Sequence, residues 1–268
     1  MYELCLKYFR TGLLEIGSLN SRLSQIISSY LQHSPFLAQA QQLNGVAWMW
    51  EDKYQEHRNI GSLLLDLLGF FPDKETIGRL RDALSLNDPR LKYSALISLL
   101  RLGHEVSSLE ITNVASSSEM RNSLYQELEA LNRPDLYPEK YRTQAAFAES
   151  NMVNWLSYPT ELGRVPDEIE LGKTIAVETE NGRLLYYVFR FRALPPHWAA
   201  KDGWLAGVSG PFLDASSPST DSLGETFSTL AAWDSQTPEG HLGDIQEIIE
   251  RWREYSRTPG SATSGNMA

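Results

Sequence analysis

Between Arg58 and Leu131 the chain repeats itself at an interval of about 30 residues. Such a period constrains the fold more than composition does, because each short helical unit leaves an apolar face that only its neighbour can cover. One unit runs from Arg58 to Gly69 and continues into a second helix over 74–86. The next opens at Asn87-Asp88-Pro89-Arg90 and runs to Gly103, and a weaker third spans Met120 to Leu131. Each opens on a basic residue and carries a Leu-rich helix. Asp88 is placed to cap the helix after it, with Pro89 supplying a preset φ at the first position. Gly69 and Gly103 are expected to end their helices in the left-handed conformation.

The Asp88-Pro89 turn, Arg90, the small Ala95 within the helix and the closing Leu102-Gly103 make this segment resemble the HEAT-repeat family. The resemblance is best over 74–104 and weaker over 58–73 and 105–131. It implies an α-solenoid whose ridge binds other macromolecules and which has no catalytic residues of its own. Alkyl-purine DNA glycosylases share a HEAT-like fold, but they need a basic concave face. Here residues 1–150 hold 18 acidic against 15 basic side chains.

Upstream, Leu13, Ile16, Leu19, Leu23, Ile26, Ile27 and Leu31 follow the three-and-four spacing of an amphipathic helix, with an interruption or cap at Ser18 or Asn20. Downstream, Pro134 and Pro138 mark a boundary. The expected organisation is a helical array over 1–132, a linker over 133–150, an α+β domain over 151–257 and a disordered tail over 258–268. Beyond residue 150 strand-type alternation takes over: Ile169, Leu171, Ile175 and Val177 alternate with polar residues. Asn181-Gly182 then offers a hairpin turn into a return strand over 183–192. Pairing across that turn sets Glu180 opposite Arg183, Val177 opposite Tyr186, Ile175 opposite Val188 and Lys173 opposite Arg190. The return strand is apolar on both faces, which places it inside its sheet. Further strands are expected over 204–208 and 226–233. A helix follows Thr237-Pro238, with Leu242, Ile245, Ile248, Ile249, Trp252 and Tyr255 on one face. The expected fold class is thus a short HEAT-like helical array followed by a small antiparallel sheet with one covering helix.

Chemistry-bearing residues are densest between Phe189 and Phe212. Arg190, Arg192, His197, Trp198 and Trp204 form the candidate binding set, since arginine and tryptophan concentrate at interface hot spots. Arg190 and Arg192 share a strand face with Lys173, a grouping suited to a carboxylate or phosphate. His197, Asp202 and Ser209 supply the residue types of a catalytic triad, but Gly207-Val208-Ser209-Gly210 lacks the spacing of the nucleophile elbow. His33, His57, His104, His197 and His241 are scattered without metal-binding spacing. One cysteine, Cys5, excludes an intramolecular disulfide framework. The stretch 159–163, and that from Tyr186 to Trp204, are similar to uncharacterised bacterial HEAT-repeat proteins.

The formal charge of −10 comes from 34 acidic and 24 basic side chains. This excess argues against phosphate backbones, whose nonspecific binding requires Lys and Arg. Residues 151–268 hold 16 acidic and 9 basic side chains, so the excess lies mainly in the second half. With no secretory pattern at the start and no long apolar window, a cytoplasmic location without membrane contact is expected. The resulting expectation is a non-enzymatic scaffold or adaptor with a protein partner and no cofactor; a narrower version is an immunity protein against a basic toxin. The alternative is a small-ligand-binding protein or hydrolytic enzyme built on His197, Trp198 and Arg190.

Overall fold

The computed structural model describes residues 2–15, 19–40, 47–180, 182–193, 203–224 and 226–257. The tail over 258–268 lies outside them. The chain divides into two compact units, 1–142 and 143–268. No helix among the described residues is long and apolar enough to cross a membrane.

The first unit is helical: α1 (Tyr2–Arg10), α2 (Leu23–Ala40), α3 (Asp52–Leu68), α4 (Lys74–Leu84), α5 (Pro89–Arg101), α6 (Ser108–Ala115) and α7 (Arg121–Ala130). Near the start, a 3₁₀ turn over Asn20–Arg22 interrupts the apolar stripe, so α2 begins only at Leu23. Ile26 and Ile27 are buried, whereas Leu13 is 73% exposed and lies off the core face.

Helix α3 packs on α5 and α5 on α7, with α4 and α6 beside them. Arg90 donates to Asn59, Ser62 and Ser94 share a hydrogen bond, and the Ser98 hydroxyl donates to the Leu65 carbonyl. Partner positions rise together along both helices, so α3 and α5 run parallel at separations of 31, 32 and 33 residues. Leu64, Leu65, Leu67 and Leu68 of α3 and Leu91, Leu96 and Leu99 of α5 are fully buried in the apolar contacts of these helices. At roughly 1.5–3 kcal/mol for each such side chain, this apolar contact is the main force holding the array together.

The helix ends follow the capping chemistry with one correction. Asp88 caps α5 through the amides of Arg90 and Leu91, and Pro89 occupies the first turn. Gly103 has φ +79°, and the amides of Gly103 and His104 return to the carbonyls of Leu100 and Leu99, which forms a Schellman ending. Asn132, with φ 57°, closes α7 in the same way: its amide and that of Arg133 bond to Glu129 and Leu128. Gly69 does not adopt the expected left-handed conformation; its φ is −61°. It is needed for space, because a Cβ there would stand 2.5 Å from the Ser98 hydroxyl oxygen and 2.9 Å from the Ser98 Cα.

The second unit holds α8 (Gln144–Leu156), β1 (Glu168–Thr179), β2 (Gly182–Arg192), β3 (Leu205–Leu213), β4 (Phe227–Ala232) and α9 (Pro238–Arg257). The strands form an antiparallel meander in the order β1-β2-β3-β4. Helix α8 packs on one face, where Ala148, Met152 and Leu156 meet Tyr187, Phe189, Phe191, Leu205 and Phe212. Helix α9 covers the other, with Leu242 and Ile245 on Val188 and Val208. The sheet therefore has two covering helices where one was expected. The stretch 133–150 contains 3₁₀ turns over Pro134–Leu136 and Glu139–Tyr141 and then the first half of α8. Alanine, serine and asparagine dilute the apolar stripe of α8, so its amphipathic pattern is weak. Close approach compensates for this: a Cβ on Gly207 would stand 2.6 Å from the Met152 methyl carbon.

The hairpin register also differs from expectation. Thr179 pairs with Gly182, Glu178 with Arg183, Val177 with Leu184, Ile175 with Tyr186 and Lys173 with Val188. Gly182 thus already belongs to β2, and a shift of two positions keeps the side chains from Lys173 to the turn on their expected faces, whereas Ile169 and Leu171, beyond the irregularity, fall on the face opposite Ile175. An irregularity at Gly172 then sets Glu170 opposite Arg190 and Glu168 opposite Arg192. Gly172 has no room for a side chain, because a Cβ there would run into the Trp233 ring.

Candidate functional site

Among the expected binding residues, the structure brings Arg190, Arg192 and Trp204 together. Consecutive same-face positions on β2 carry the two arginines, and Trp204 immediately precedes β3. Both guanidinium groups lie over the Trp204 ring, at 4.6 and 4.8 Å from its centroid. Each arginine also pairs across to β1: Arg190 Nε donates to Glu170 at 2.8 Å, and Arg192 donates to Glu168. That hydrogen bond, more than any other influence, holds the Arg192 guanidinium above its ordinary pKa. Lys173, on the same face, pairs instead with Glu239 of α9. Each of the three cations thus has a carboxylate partner within its own unit. The cluster is a half-exposed platform of alternating charge around one indole. His197 and Trp198 lie outside the described residues, as does Asp202.

Ser209 is fully buried, and its hydroxyl shares a 3.2 Å hydrogen bond with that of Thr226. It packs between strands, and its side chain is not presented to a substrate. His241 is also fully buried: its Nε2 reaches the Trp233 carbonyl at 3.0 Å and its Nδ1 faces the Gln236 amide nitrogen at 3.1 Å. The same amide nitrogen binds Asp244 at 2.7 Å, so His241 and Asp244 clamp the start of α9. The structure pairs two histidines that sequence spacing left apart. His33 on α2 and His57 on α3 face each other with their Nδ1 atoms 2.8 Å apart. No group of three or more potential metal ligands occurs among the described residues.

Acidic side chains of the second unit are largely engaged internally. Asp167 pairs with Arg164, Glu178 and Asp214 flank Arg183, and Glu247 pairs with Arg251. Glu180, Asp221, Asp234 and Glu250 form no ion pair among the described residues. The negative charge is therefore spread over the unit, interleaved with cations.

In the first unit, sequence reasoning missed a buried polar lattice and a cleft beside it. Arg58 donates to Asp88 and to Glu119, each at 2.8 Å, and the Tyr54 hydroxyl also donates to Asp88. The two carboxylates keep Arg58 charged despite its burial, raising its pKa above the usual value. Arg58, the basic residue that opens the first repeat, was the available signal, but only the fold shows that it is a buried tie from α3 to the residues ahead of α5 and α7. Beside this lattice, Asn87, Pro89, Lys92, Asn113, Ser116, Ser117 and Ser118 line an open polar cleft of about 470 Å³. These residues come from α5 and α6 and from the turns preceding α5 and following α6, so one helix pair with its flanking turns builds the cleft.

No family model, characterised protein or solved structure matches this chain.

Proposed function

We propose that this protein is a non-enzymatic scaffold of the cytoplasm, whose first unit is a short HEAT-like array that binds a protein partner along its turns. The parallel packing of α3 and α5 at a separation of about 32 residues carries this reading. That arrangement is expected of tandem units stacked into an array, and it lines up successive turns into one continuous surface. The cleft from Asn87 to Ser118 supports the reading, because its lining is polar, open and supplied by α5, α6 and the turns beside them. The Arg190–Trp204–Arg192 platform supports a second contact, since an indole flanked by arginines has the composition of a binding hot spot. An immunity protein that blocks a basic toxin is the narrower form of the proposal, and Glu180, Asp221 and Asp234, without an ion pair among the described residues, are carboxylates that could face such a partner.

Affinity capture from source cells with the full chain, run beside Lys92→Glu and Asn113→Arg, tests the proposal. Both positions lie in the cleft, so each variant is expected to lose the captured protein while keeping the wild-type circular dichroism. Equal capture by wild type and both variants would overturn the assignment of the cleft. For the immunity form, partner affinity should fall steeply as salt rises, because screening weakens attraction between opposite charges.

A further inference from the structure

A second cleft, of about 370 Å³, lies in the second unit between the sheet and α9. Its volume falls within the range of about 300–1,000 Å³ occupied by small-molecule sites. Val208, Pro211, Leu223, Leu242, Ile245 and Ile249 provide apolar walls, while Tyr186, Gln246 and Glu250 provide the polar side chains. The phenol, amide and carboxylate of those three residues make no hydrogen bond or ion pair with any described residue. Glu250 is the only charged side chain in the lining among the described residues. The nearest arginine in sequence, Arg251, is paired with Glu247.

The cleft rests on a close-packed backbone. The Leu223 amide donates to the Pro211 carbonyl at 2.7 Å, which ties the loop after β3 back against the strand. A Cβ on Gly224 would stand 2.6 Å from Pro211 Cδ, and one on Gly210, where φ is +133°, would stand 2.8 Å from the Leu185 carbonyl oxygen. Side chains at either glycine would push the loop away from the strand and alter the cleft.

We infer that this cleft binds a small organic cation, with its apolar or aromatic body between β3 and α9 and its protonated amine at Glu250. Apolar walls with a few converging polar groups are the general form of a small-ligand site. A carboxylate that is the one described charge of the lining favours a cation over an anion, which it would repel. Tyr186 and Gln246 add hydrogen-bonding groups of neutral charge that orient the ligand. The inference stands apart from the proposed protein-binding role, which rests on the first unit and the Trp204 platform.

Tryptamine and indole-3-acetate share a ring system and carry opposite charges, so they isolate the contribution of Glu250. Titration of each into the full chain, followed by amide chemical shifts, is expected to move resonances of Tyr186, Val208 and Leu242. Tryptamine should bind at least tenfold more tightly than indole-3-acetate. Glu250→Gln, at an exposed position of α9, should bring the two within about twofold, which converts a charge-assisted contact into a neutral one. Ile249→Trp should weaken both by filling the cleft. Equal binding of the two probes to wild type, retention of the tryptamine preference in Glu250→Gln, or shifts confined to other parts of the chain would each overturn the inference.

Discussion

Arg58 Nε lies 2.8 Å from Asp88 Oδ2, and both side chains are buried, at 4% and 0% exposure. The other oxygen of the same carboxylate accepts from the amides of Arg90 and Leu91 at 2.9 and 3.2 Å. One residue thus starts α5 and ties it to α3. Glu119, just before α7, completes the charge balance on Arg58 at 2.8 Å. A motif residue legible as a helix cap is at the same time the counter-ion of a buried arginine 30 positions earlier.

Replacing Asp88 by alanine should therefore cost much more than a lost cap. The cap contributes about 1 kcal/mol, whereas removing one partner of a buried ion pair costs about 3–5 kcal/mol. Glu119 remains to pair with Arg58, so a total of about 3–4 kcal/mol is expected. Asp88→Asn, which keeps one acceptor oxygen, should lose less. Urea denaturation reads both as lower midpoints at an unchanged slope; a cost near 1 kcal/mol for Asp88→Ala would show that the ion pair adds nothing beyond the cap.

Gly69 and Gly103 stand at the ends of α3 and α5 for different reasons, and substitution should separate them. Gly69→Ala places a methyl group against the Ser98 hydroxyl and backbone, so α3 and α5 must move apart; overpacking of this kind costs about 1–3 kcal/mol. Gly103→Ala meets no atom within 4 Å, and its cost is the left-handed strain of about 1–2 kcal/mol. Amide exchange in α5 would distinguish them: Gly69→Ala should speed exchange along the α3 contact, while Gly103→Ala should speed it only in the last turn.

The contact between His33 and His57 makes the first unit sensitive to pH. With Nδ1 atoms 2.8 Å apart, one ring must donate and the other accept. Two fully protonated rings would point N–H groups at each other. Burial first, and then the neighbouring His57, hold the His33 pKa below 6.5, against an opposing pull from Glu56. A base whose folded pKa is lowered binds more protons when unfolded, so stability falls as pH drops below about 6.5 and levels off beneath the folded pKa. The stability difference between wild type and His33→Gln should therefore shrink between pH 7 and pH 5. Burial pushes the Asp66 carboxyl upward and gives the opposite slope, but that contribution is common to both proteins and cancels. A difference independent of pH would sink the prediction.

Arg190 lies on the surface, and its ion pair with Glu170 is half-exposed. Solvent screening limits such a pair to under about 1 kcal/mol. Arg190→Gln should leave the chain folded with a loss of that size. A double-mutant cycle with Trp204→Leu should return a coupling of about 0.5–1 kcal/mol, the range of an exposed cation–π contact. A coupling of zero would mean that the guanidinium and the indole are neighbours without mutual stabilisation.

Features governed by short-range preferences were legible in the residues themselves. The helical spacing from Leu91 to Leu102, the Asp88-Pro89 start and the Gly103 ending all follow from local backbone and capping chemistry. Alternation and two apolar faces correctly placed β2 inside its sheet. The Leu13 end of the first stripe was less informative, because one apolar residue at the right spacing does not reveal whether a neighbour is there to cover it.

The candidate site was less legible for the same reason. Arg190, Arg192 and Trp204 were identifiable by residue type, but their glutamate partners depended on an irregularity at Gly172 that the Trp233 ring enforces. Helix α8 was obscured because its alanines and serines resemble a linker until the flat Gly207 position of β3 lets Met152 descend onto the sheet. The cleft beside Glu250 combines residues of β2, β3, the loop after β3 and α9, elements with no common spacing in the chain.

By itself, the sequence determined where several helices and strands form, how some of them end and the approximate period of the array, because those properties depend on neighbours a few residues away. Tertiary structure decided which polar residues are buried, as at Arg58, which histidines meet, as at His33 and His57, and which glycines serve close packing, as at Gly69. Those outcomes depend on contacts between residues some 24 to 33 positions apart. Only the packed chain specifies them, since burial removes water as the competing partner and makes each polar group's neighbour decisive.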